Sequence, residues 1–176
     1  MHLLQVFNHY PPLTMRLQYQ VVFMHRMLLL TTTEVSKGAT YSTYIRERGN
    51  KYEARQYAAP RNPEDILTVP YYREWLSGFI EAEGCFSIRA SGRTFSFSIS
   101  QKYGHDVLHA IRLYLRTVAR VNLRNGAPEF YYLETYNRAS LRKIIEHCAC
   151  YPLLGEKALQ LKAFTRFIAA LPVCKD

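Results

Sequence analysis

Two carboxylates, Glu81 and Glu83, stand in the last turn of a predicted helix that is stopped by Gly84. The C-terminal end of a helix carries the negative pole of its macrodipole, which disfavours an anion there by roughly 0.3–1 kcal/mol. A lysine would be the stabilising residue at this place. A carboxylate here needs either open solvent or a cation, so this helix end is a candidate for chemistry.

The helix that positions these carboxylates is predicted for residues 71–83. Its apolar stripe follows the 3.6-residue period of a helix through Leu76, Phe79 and Ile80. Gly78 and Ala82 lie one turn apart on a neighbouring stripe. Small side chains at this spacing let another helix backbone come close, so both residues are predicted to form a helix-packing interface.

The pattern after Gly84 predicts an α+β domain with four antiparallel strands. Strands are predicted for residues 85–90, 94–101, 120–124 and 129–136, and helices for residues 105–118, 138–148 and 155–171. In the second strand, Phe95, Phe97 and Ile99 alternate with hydroxyl side chains. One face of the sheet is therefore expected to be buried and the other to be polar.

The polar face of this sheet is predicted to carry hydroxyls and cations and no acid, which favours a polyanionic partner. Arg pairs with guanine edges, and Ser or Thr can accept many partners. The predicted nucleic-acid-binding residues lie on this face and in the short hairpin between the first two strands. They are Ser87, Arg89, Arg93, Thr94, Ser96, Ser98, Arg120, Asn122 and Arg124.

The stretch Leu76–Gly84 resembles the signature helix of the LAGLIDADG homing endonucleases. It aligns with all nine letters of the motif without a gap, and Glu replaces Asp twice. Two further stretches, Phe97–Lys102 and Tyr151–Lys157, fit the same family in the same order. The resemblance extends from residue 71 to about residue 171 and implies the LAGLIDADG half-saddle, with the element order αββαββα.

The resemblance also implies roles for three residues. Glu83 aligns with the acid that binds the metal, Gln101 with a polar residue that positions the active-site water, and Lys157 with a cation that stabilises charge at the scissile phosphate. The sequence holds one copy of the motif, so one chain supplies half a site. A homodimer would bring two Glu83 carboxylates together, and Mg²⁺ between them would support phosphodiester hydrolysis.

Composition agrees with a nucleic-acid partner. The chain has 176 residues, a formal net charge of +9 and a pI of about 9.5, with 14 Tyr and 9 Phe beside 23 Lys and Arg. Flat rings stack on bases and guanidinium groups pair with phosphates. The four cysteines have no zinc spacing and are expected to be reduced thiols. No apolar run approaches the roughly 20 residues needed to span a bilayer.

Residues 1–68 are predicted to be an irregular basic extension, and residues 69–176 the LAGLIDADG domain. Residues 1–33 contain no acid and resemble an organelle-targeting segment, for the mitochondrion or the chloroplast. The part after residue 37 lacks an apolar period and alternates rings with cations. Its predicted nucleic-acid-binding residues are Arg46, Arg48, Lys51, Arg55 and Arg61.

Three functions stay open from the sequence. The first is a homodimeric, Mg²⁺-dependent, site-specific DNA endonuclease. The second is a non-catalytic rRNA-binding structural protein of a mitochondrial ribosome, with ribosomal proteins as partners and no cofactor. The third is an intron maturase. The hairpin between the first two strands, Ser91–Arg93, is short. It is expected to reduce sequence specificity more than fold stability.

Overall fold

The computed structural model describes residues 2–32, 37–50, 61–89 and 94–170. The chain divides into two compact units, Met1–Arg61 and Asn62–Asp176. The second unit thus begins before residue 69, and it includes a short helix, α4, at Pro63–Leu67. The Asn62 side chain caps this helix by accepting from Glu64 N–H at 3.2 Å.

The second unit follows the predicted order of helices and strands. After α4 it contains α5 (Tyr72–Glu83), β1 (Gly84–Ile88), β2 (Phe95–Lys102), α6 (His105–Leu115), β3 (Val121–Leu123), β4 (Phe130–Thr135), α7 (Arg138–Cys150) and α8 (Lys157–Ala170). The predicted α+β class and the αββαββα order are confirmed.

The four strands form one antiparallel sheet in the order β1-β2-β4-β3. Phe86 lies opposite Phe97 across the first pair, and Ile99 lies opposite Leu133 across the second. Phe97, Ile99 and Leu133 are each no more than 1% exposed. Because alternate residues of a strand point to opposite faces, these side chains mark the buried face of the sheet.

The helices supply the other side of this core. Leu76 and Ile80 of α5, Leu108 and Ile111 of α6, and Leu141 and Ile144 of α7 are almost fully buried. Burying one such side chain stabilises the fold by roughly 1.5–3 kcal/mol. The apolar period that predicted α5 therefore also fixes which face of that helix is covered, and Gly78 and Ala82 are left on the exposed face.

Helix α6 ends earlier than predicted. Arg116 adopts a left-handed conformation with a φ of 49°, and its N–H donates to Leu113 O at 3.0 Å. A residue in this conformation closes the helix. Val118, the last residue of the predicted helix, is therefore outside the observed helix and 85% exposed.

The first unit is helical, and the prediction of an irregular extension is wrong for its described part. It contains α1 (His2–His9), α2 (Met15–Thr32), α3 (Lys37–Glu47) and a 3₁₀ turn at Arg48–Asn50. Arg26 of α2 and Glu47 of α3 form an ion pair at 3.0 Å. Leu13, Tyr19 and Met27 are buried. Tertiary contacts of this kind stabilise helices that lack a regular apolar period.

None of the helices in the described residues has both the length and the apolar character needed to cross a membrane.

Candidate active site and nucleic-acid face

Glu83 is the last residue of α5, and β1 begins directly after it at Gly84. The chain passes from helix to strand without a loop because Gly84 N–H still donates to Ile80 O. A Cβ at position 84 would lie 2.7 Å from that oxygen, so a larger residue would force the junction apart. The half-buried Glu83 is thereby held where the helix meets the sheet.

Lys157 lies at the same helix end. Its Nζ donates to Glu81 O at 2.7 Å and to Ala82 O at 3.5 Å. These carbonyls belong to the last turn of α5, where no backbone N–H is available to them. The Lys157 charge opposes the negative pole of the helix and makes an acid at this end less costly. The structure therefore brings Lys157 and Glu83 to one helix end.

Glu81 positions Lys157, a role that the sequence did not indicate. Its Oε1 accepts from Lys157 N–H at 3.2 Å, at the start of α8. Its Oε2 is buried and has no hydrogen-bond partner among the described residues. Gly155 leaves the room for this carboxylate, because a Cβ at position 155 would collide with it. A glycine two residues before the lysine was the one available sequence signal.

Gln101 lies at the same end of the sheet as Glu83. Gly84 pairs with Ile99, so the end of β2 runs alongside the end of α5. The Gln101 side chain is buried, and its Oε1 accepts from Lys102 N–H at 3.1 Å. Its predicted role in positioning a water stays a prediction.

The interface residues Gly78 and Ala82 are exposed, and a Cβ at position 78 would meet no described atom within 4 Å. A groove of about 510 Å³ runs beside Gly78, and the loop Tyr151–Leu154 forms its other side. Leu154 is 95% exposed at its rim. The groove is open and largely apolar, and it lies beside small helix residues. These are the features of a surface that a partner covers.

A buried polar network fixes the other side of α5. Ser77 Oγ donates to Tyr151 O at 2.6 Å and accepts from His147 Nε2 at 3.1 Å. His147 Nδ1 then accepts from the Tyr114 hydroxyl at 2.9 Å. Burial first, and the charge of Arg73 second, lower the pKa of His147 to about 4. The neutral imidazole therefore ties α5, α6 and α7 together.

The polar face of the sheet carries an acid, contrary to the prediction. Glu134 of β4 lies opposite Ser98 of β2. Ser96 Oγ donates to Glu134 Oε1 at 2.9 Å, and Ser96 is only 2% exposed. Ser96, which is predicted to bind nucleic acid, is therefore buried and already hydrogen-bonded within the sheet. The reason is physical: the register between two strands decides which side chains meet, and one strand's alternation does not show it.

Glu134 is also linked to the cations of this face through Tyr136. Arg89 donates to the Tyr136 hydroxyl at 3.4 Å. A hydrogen bond with Glu134 is the largest of the effects that raise the pKa of Tyr136. A groove of about 530 Å³ opens beside Glu134, with Arg124 and Tyr132 among its lining residues. The face therefore carries both hydrogen-bond donors and an acceptor.

The remaining residues predicted for this face lie as follows. Ser87 is opposite Ser96, and Thr94 O accepts from Arg89 N–H at 2.9 Å. Asn122 is opposite Tyr132, and its side chain donates to Arg120 O at 3.1 Å. Arg120 and Arg124 are exposed and flank β3. Arg93 and the rest of the hairpin turn lie outside the described residues.

Three of the cations predicted for the extension are described. Arg46 is exposed on α3 and contacts Glu47 at 3.4 Å, Arg48 begins the 3₁₀ turn, and Arg61 is half-buried. Lys51 and Arg55 lie outside the described residues. Arg46 and Arg48 thus stand on helical rather than irregular backbone.

Comparisons with known proteins identify the family of this chain. The model of the LAGLIDADG endonuclease family matches residues 76–168, more than half of the chain. A protein named probable intron-encoded endonuclease aI3, from Dictyostelium citrinum, is 36% identical over 165 residues, which cover 94% of this chain and 62% of the relative. A protein of the same name from Debaryomyces hansenii is 33% identical over 93% of this chain and 27% of its own.

The chain therefore spans less than two thirds of the length of these relatives. Among solved structures, the meganuclease I-SmaMI bound to uncleaveable DNA has a similar fold. Its TM-score is 0.65 at 16% identity, over 95% of this chain and 61% of that chain. With its signature helix, its four-stranded sheet and the matching family model, the chain belongs to the LAGLIDADG endonuclease family.

Proposed function

We propose that this chain acts in a site-specific DNA endonuclease that hydrolyses phosphodiester bonds. The observation that carries the proposal is that Lys157 donates to Glu81 O and Ala82 O at the helix end that also carries Glu83. A carboxylate can hold a metal ion and an adjacent ammonium can stabilise a phosphate, and hydrolysis needs both. The relatives named endonucleases and the DNA-bound meganuclease of similar fold support DNA as the substrate.

The donor chemistry of Glu83 fits Mg²⁺. Its carboxylate offers hard oxygen ligands, and it is half-buried at a helix end rather than fully solvated. No described group of three His, Cys, Asp or Glu side chains could hold a metal ion. Bound Mg²⁺ would supply an activated water and stabilise the leaving oxygen. Glu83 would hold the ion, Lys157 would bind the phosphate, and Gln101 would orient the water.

A second LAGLIDADG helix must complete this half-site. The exposed Gly78 and Ala82, with the open groove beside them, provide the surface on which such a helix would pack. A homodimer is the simplest completion, because it supplies a second Glu83. A non-identical second half is the alternative, and the greater length of the relatives favours it.

The polar face of the sheet would lie along the DNA. Arg89, Arg120 and Arg124 would bind phosphates or guanine edges, while Ser98 and Asn122 would contact bases. The basic residues of the first unit would add affinity that depends on salt. We propose the mitochondrion or chloroplast as the location, since the relatives are named intron-encoded and residues 1–33 lack acids.

The test of this function is cleavage. The chain would be incubated with a plasmid library of randomised sites in Mg²⁺ and, as control, in EDTA, and cut ends would be sequenced. The proposal expects one recovered site that depends on Mg²⁺. Tight binding to rRNA with no DNA cleavage, in the chain and in any completed dimer, would instead support the rRNA-binding or maturase alternatives.

A further inference from the structure

The first unit repeats a segment of the second. Tyr10–Arg16 and Tyr151–Lys157 both begin with Tyr-Pro, have a Leu two residues after the Pro, and end in a basic residue six positions after the Tyr. The offset between the two copies is the same at every matched position. One copy contains Lys157, the cation at the end of α5, and its counterpart in the other copy is Arg16.

The backbone repeats as well. Helix α1 ends at His9, immediately before Tyr10, and α7 ends at Cys150, immediately before Tyr151. In both copies the Tyr N–H closes the last turn at 2.8 Å, on Val6 O in one and on His147 O in the other. A short loop then leads into α2 or α8. Arg16 and Lys157 both stand in the first turn of the following helix.

The same offset continues along the second helix of each pair. Phe23 matches Phe164, and Met27 matches Ile168. Met27 and Ile168 are each 9% exposed, so the two helices bury the corresponding position. A repeat that keeps sequence, helix ends and a buried position is more than a chance match of short motifs.

The two copies cannot both supply the cation at the C-terminal end of α5. Lys157 already occupies the C-terminal end of α5, where it donates to Glu81 O at 2.7 Å. Each chain therefore has two such helix pairs but a single motif helix, since the sequence contains the motif once. Any assembly of identical copies keeps this imbalance of two to one.

We infer that α1 and α2 are the closing helix pair of a second LAGLIDADG half, and that Arg16 is the cation that caps its motif helix. The partner is a helix with small residues one turn apart and an acid at its end. It belongs to polypeptide outside these 176 residues rather than to a second copy of this chain. This deepens the proposed function, because Arg16 takes the role proposed for Lys157.

Two further observations support the inference. The fold likeness to I-SmaMI covers 95% of this chain, and therefore most of the first unit, yet only 61% of that longer chain. The repeat also gives residues 1–33 a folded role, which competes with the organelle-targeting role predicted from their lack of acids. Arg16 itself is exposed and free to meet a partner's helix end in the way that Lys157 meets α5.

A grafted protein tests the inference without any use of nuclease activity. A second copy of residues 62–142 is placed directly ahead of His2 of the chain, because the offset equates His2 with Lys143. The graft thus rebuilds a complete half from the repeated helix pair. Hydrogen exchange is then measured for residues 2–32 in the unmodified chain and in the graft. The inference expects exchange in α1 and α2 to slow by about tenfold or more in the graft.

A matched control graft joins the same segment to Leu4, which rotates the new half by roughly 200° about the helix. It is expected to leave the exchange of α1 and α2 unchanged. In the correct graft, Arg16→Ala should lose much of the added protection and Arg16→Lys should restore it. Equal exchange in the two grafts would overturn the inference, even if the chain cuts DNA. Slowed exchange in the correct graft alone would uphold it, even if the chain does not.

Discussion

Lys157 and Glu81 hold each other through two separate hydrogen bonds. The Lys157 ammonium donates to the backbone oxygen of Glu81 at 2.7 Å, and the Glu81 carboxylate accepts from the backbone N–H of Lys157 at 3.2 Å. The first bond caps the end of α5 and the second caps the start of α8. The pair therefore fixes a cation at the helix end that carries Glu83.

Replacing Glu81 tests this positioning role. Glu81→Ala removes the cap of α8 and should lower the free energy of unfolding by about 1 kcal/mol. Glu81→Gln keeps an acceptor and should retain most of the stability. DNA cleavage should fall further in the Ala variant than in the Gln variant, since Lys157 is then less constrained. Gln160→Ala, an exposed change on α8, is the control for both measurements. An undiminished cleavage rate in Glu81→Ala would remove Glu81 from this role.

Substitutions at Gly78 separate helix stability from helix pairing. A Cβ there meets no described atom within 4 Å, so Gly78→Ala should stabilise the chain by about 0.8–1 kcal/mol through helix propensity. Gly78→Leu should also fold, yet should block the approach of a second helix. Light scattering and thermal unfolding measure the two effects.

Gly84→Ala is the contrasting variant for this experiment. It should destabilise the fold, because its Cβ would lie 2.7 Å from Ile80 O. If Gly78→Leu still pairs and still cuts, the exposed face of α5 is not the interface.

The His147 network predicts a pH dependence of stability. The pKa of His147 is about 4 in the folded chain, against an ordinary value of 6.5. Between these values the unfolded chain binds a proton that the folded chain does not bind. The free energy of unfolding should therefore fall as the pH drops from 6.5 to 4, by up to about 1 kcal/mol per pH unit.

The measurement is chemical denaturation at several pH values, with His147→Gln as the comparison. The glutamine cannot take up this proton, so its stability should depend less on pH across the same window. Parallel curves for the two proteins would show that His147 does not carry the effect.

Glu134 predicts a base preference. An acid on a face that meets DNA is repelled by phosphates, but it can accept from the amino group of cytosine. Glu134→Gln should therefore raise affinity for unrelated DNA while it relaxes discrimination at one base pair by about 1–3 kcal/mol. Binding to a set of single-base variants of the recovered site measures this. Glu146→Gln, the same change at an exposed residue of α7, is the control. An unchanged preference in Glu134→Gln would assign Glu134 to structure alone.

The helices and strands of the second unit could be predicted well because the residue pattern within each element indicates its type. The alternation along β2 and the apolar period of α5 each report one face of one element, and both were confirmed. The sequence could not show the contact of Glu134 with Ser96, because it arises from the register of two strands that are distant in the chain. For the same reason, the role of Glu81 at the start of α8 was visible only in the structure.

The first unit was mispredicted for a different reason. Its helices lack a clean apolar period, so a reading of each segment alone favoured irregular structure. The helices are indicated only when two distant segments, Tyr10–Arg16 and Tyr151–Lys157, are compared with each other. Neither segment indicates them alone. Internal repeats of this kind place helices where local propensity does not.

The proposed chemistry depends most directly on Glu83, and one substitution tests this dependence. Glu83→Gln keeps the size and the polar character of the side chain and removes the charge that holds the metal. DNA binding and Mg²⁺-dependent cleavage are measured in parallel on the recovered site, in the assembled protein. The account predicts that binding stays within about twofold while cleavage falls by at least about 10²-fold. Cleavage that survives in Glu83→Gln would contradict it.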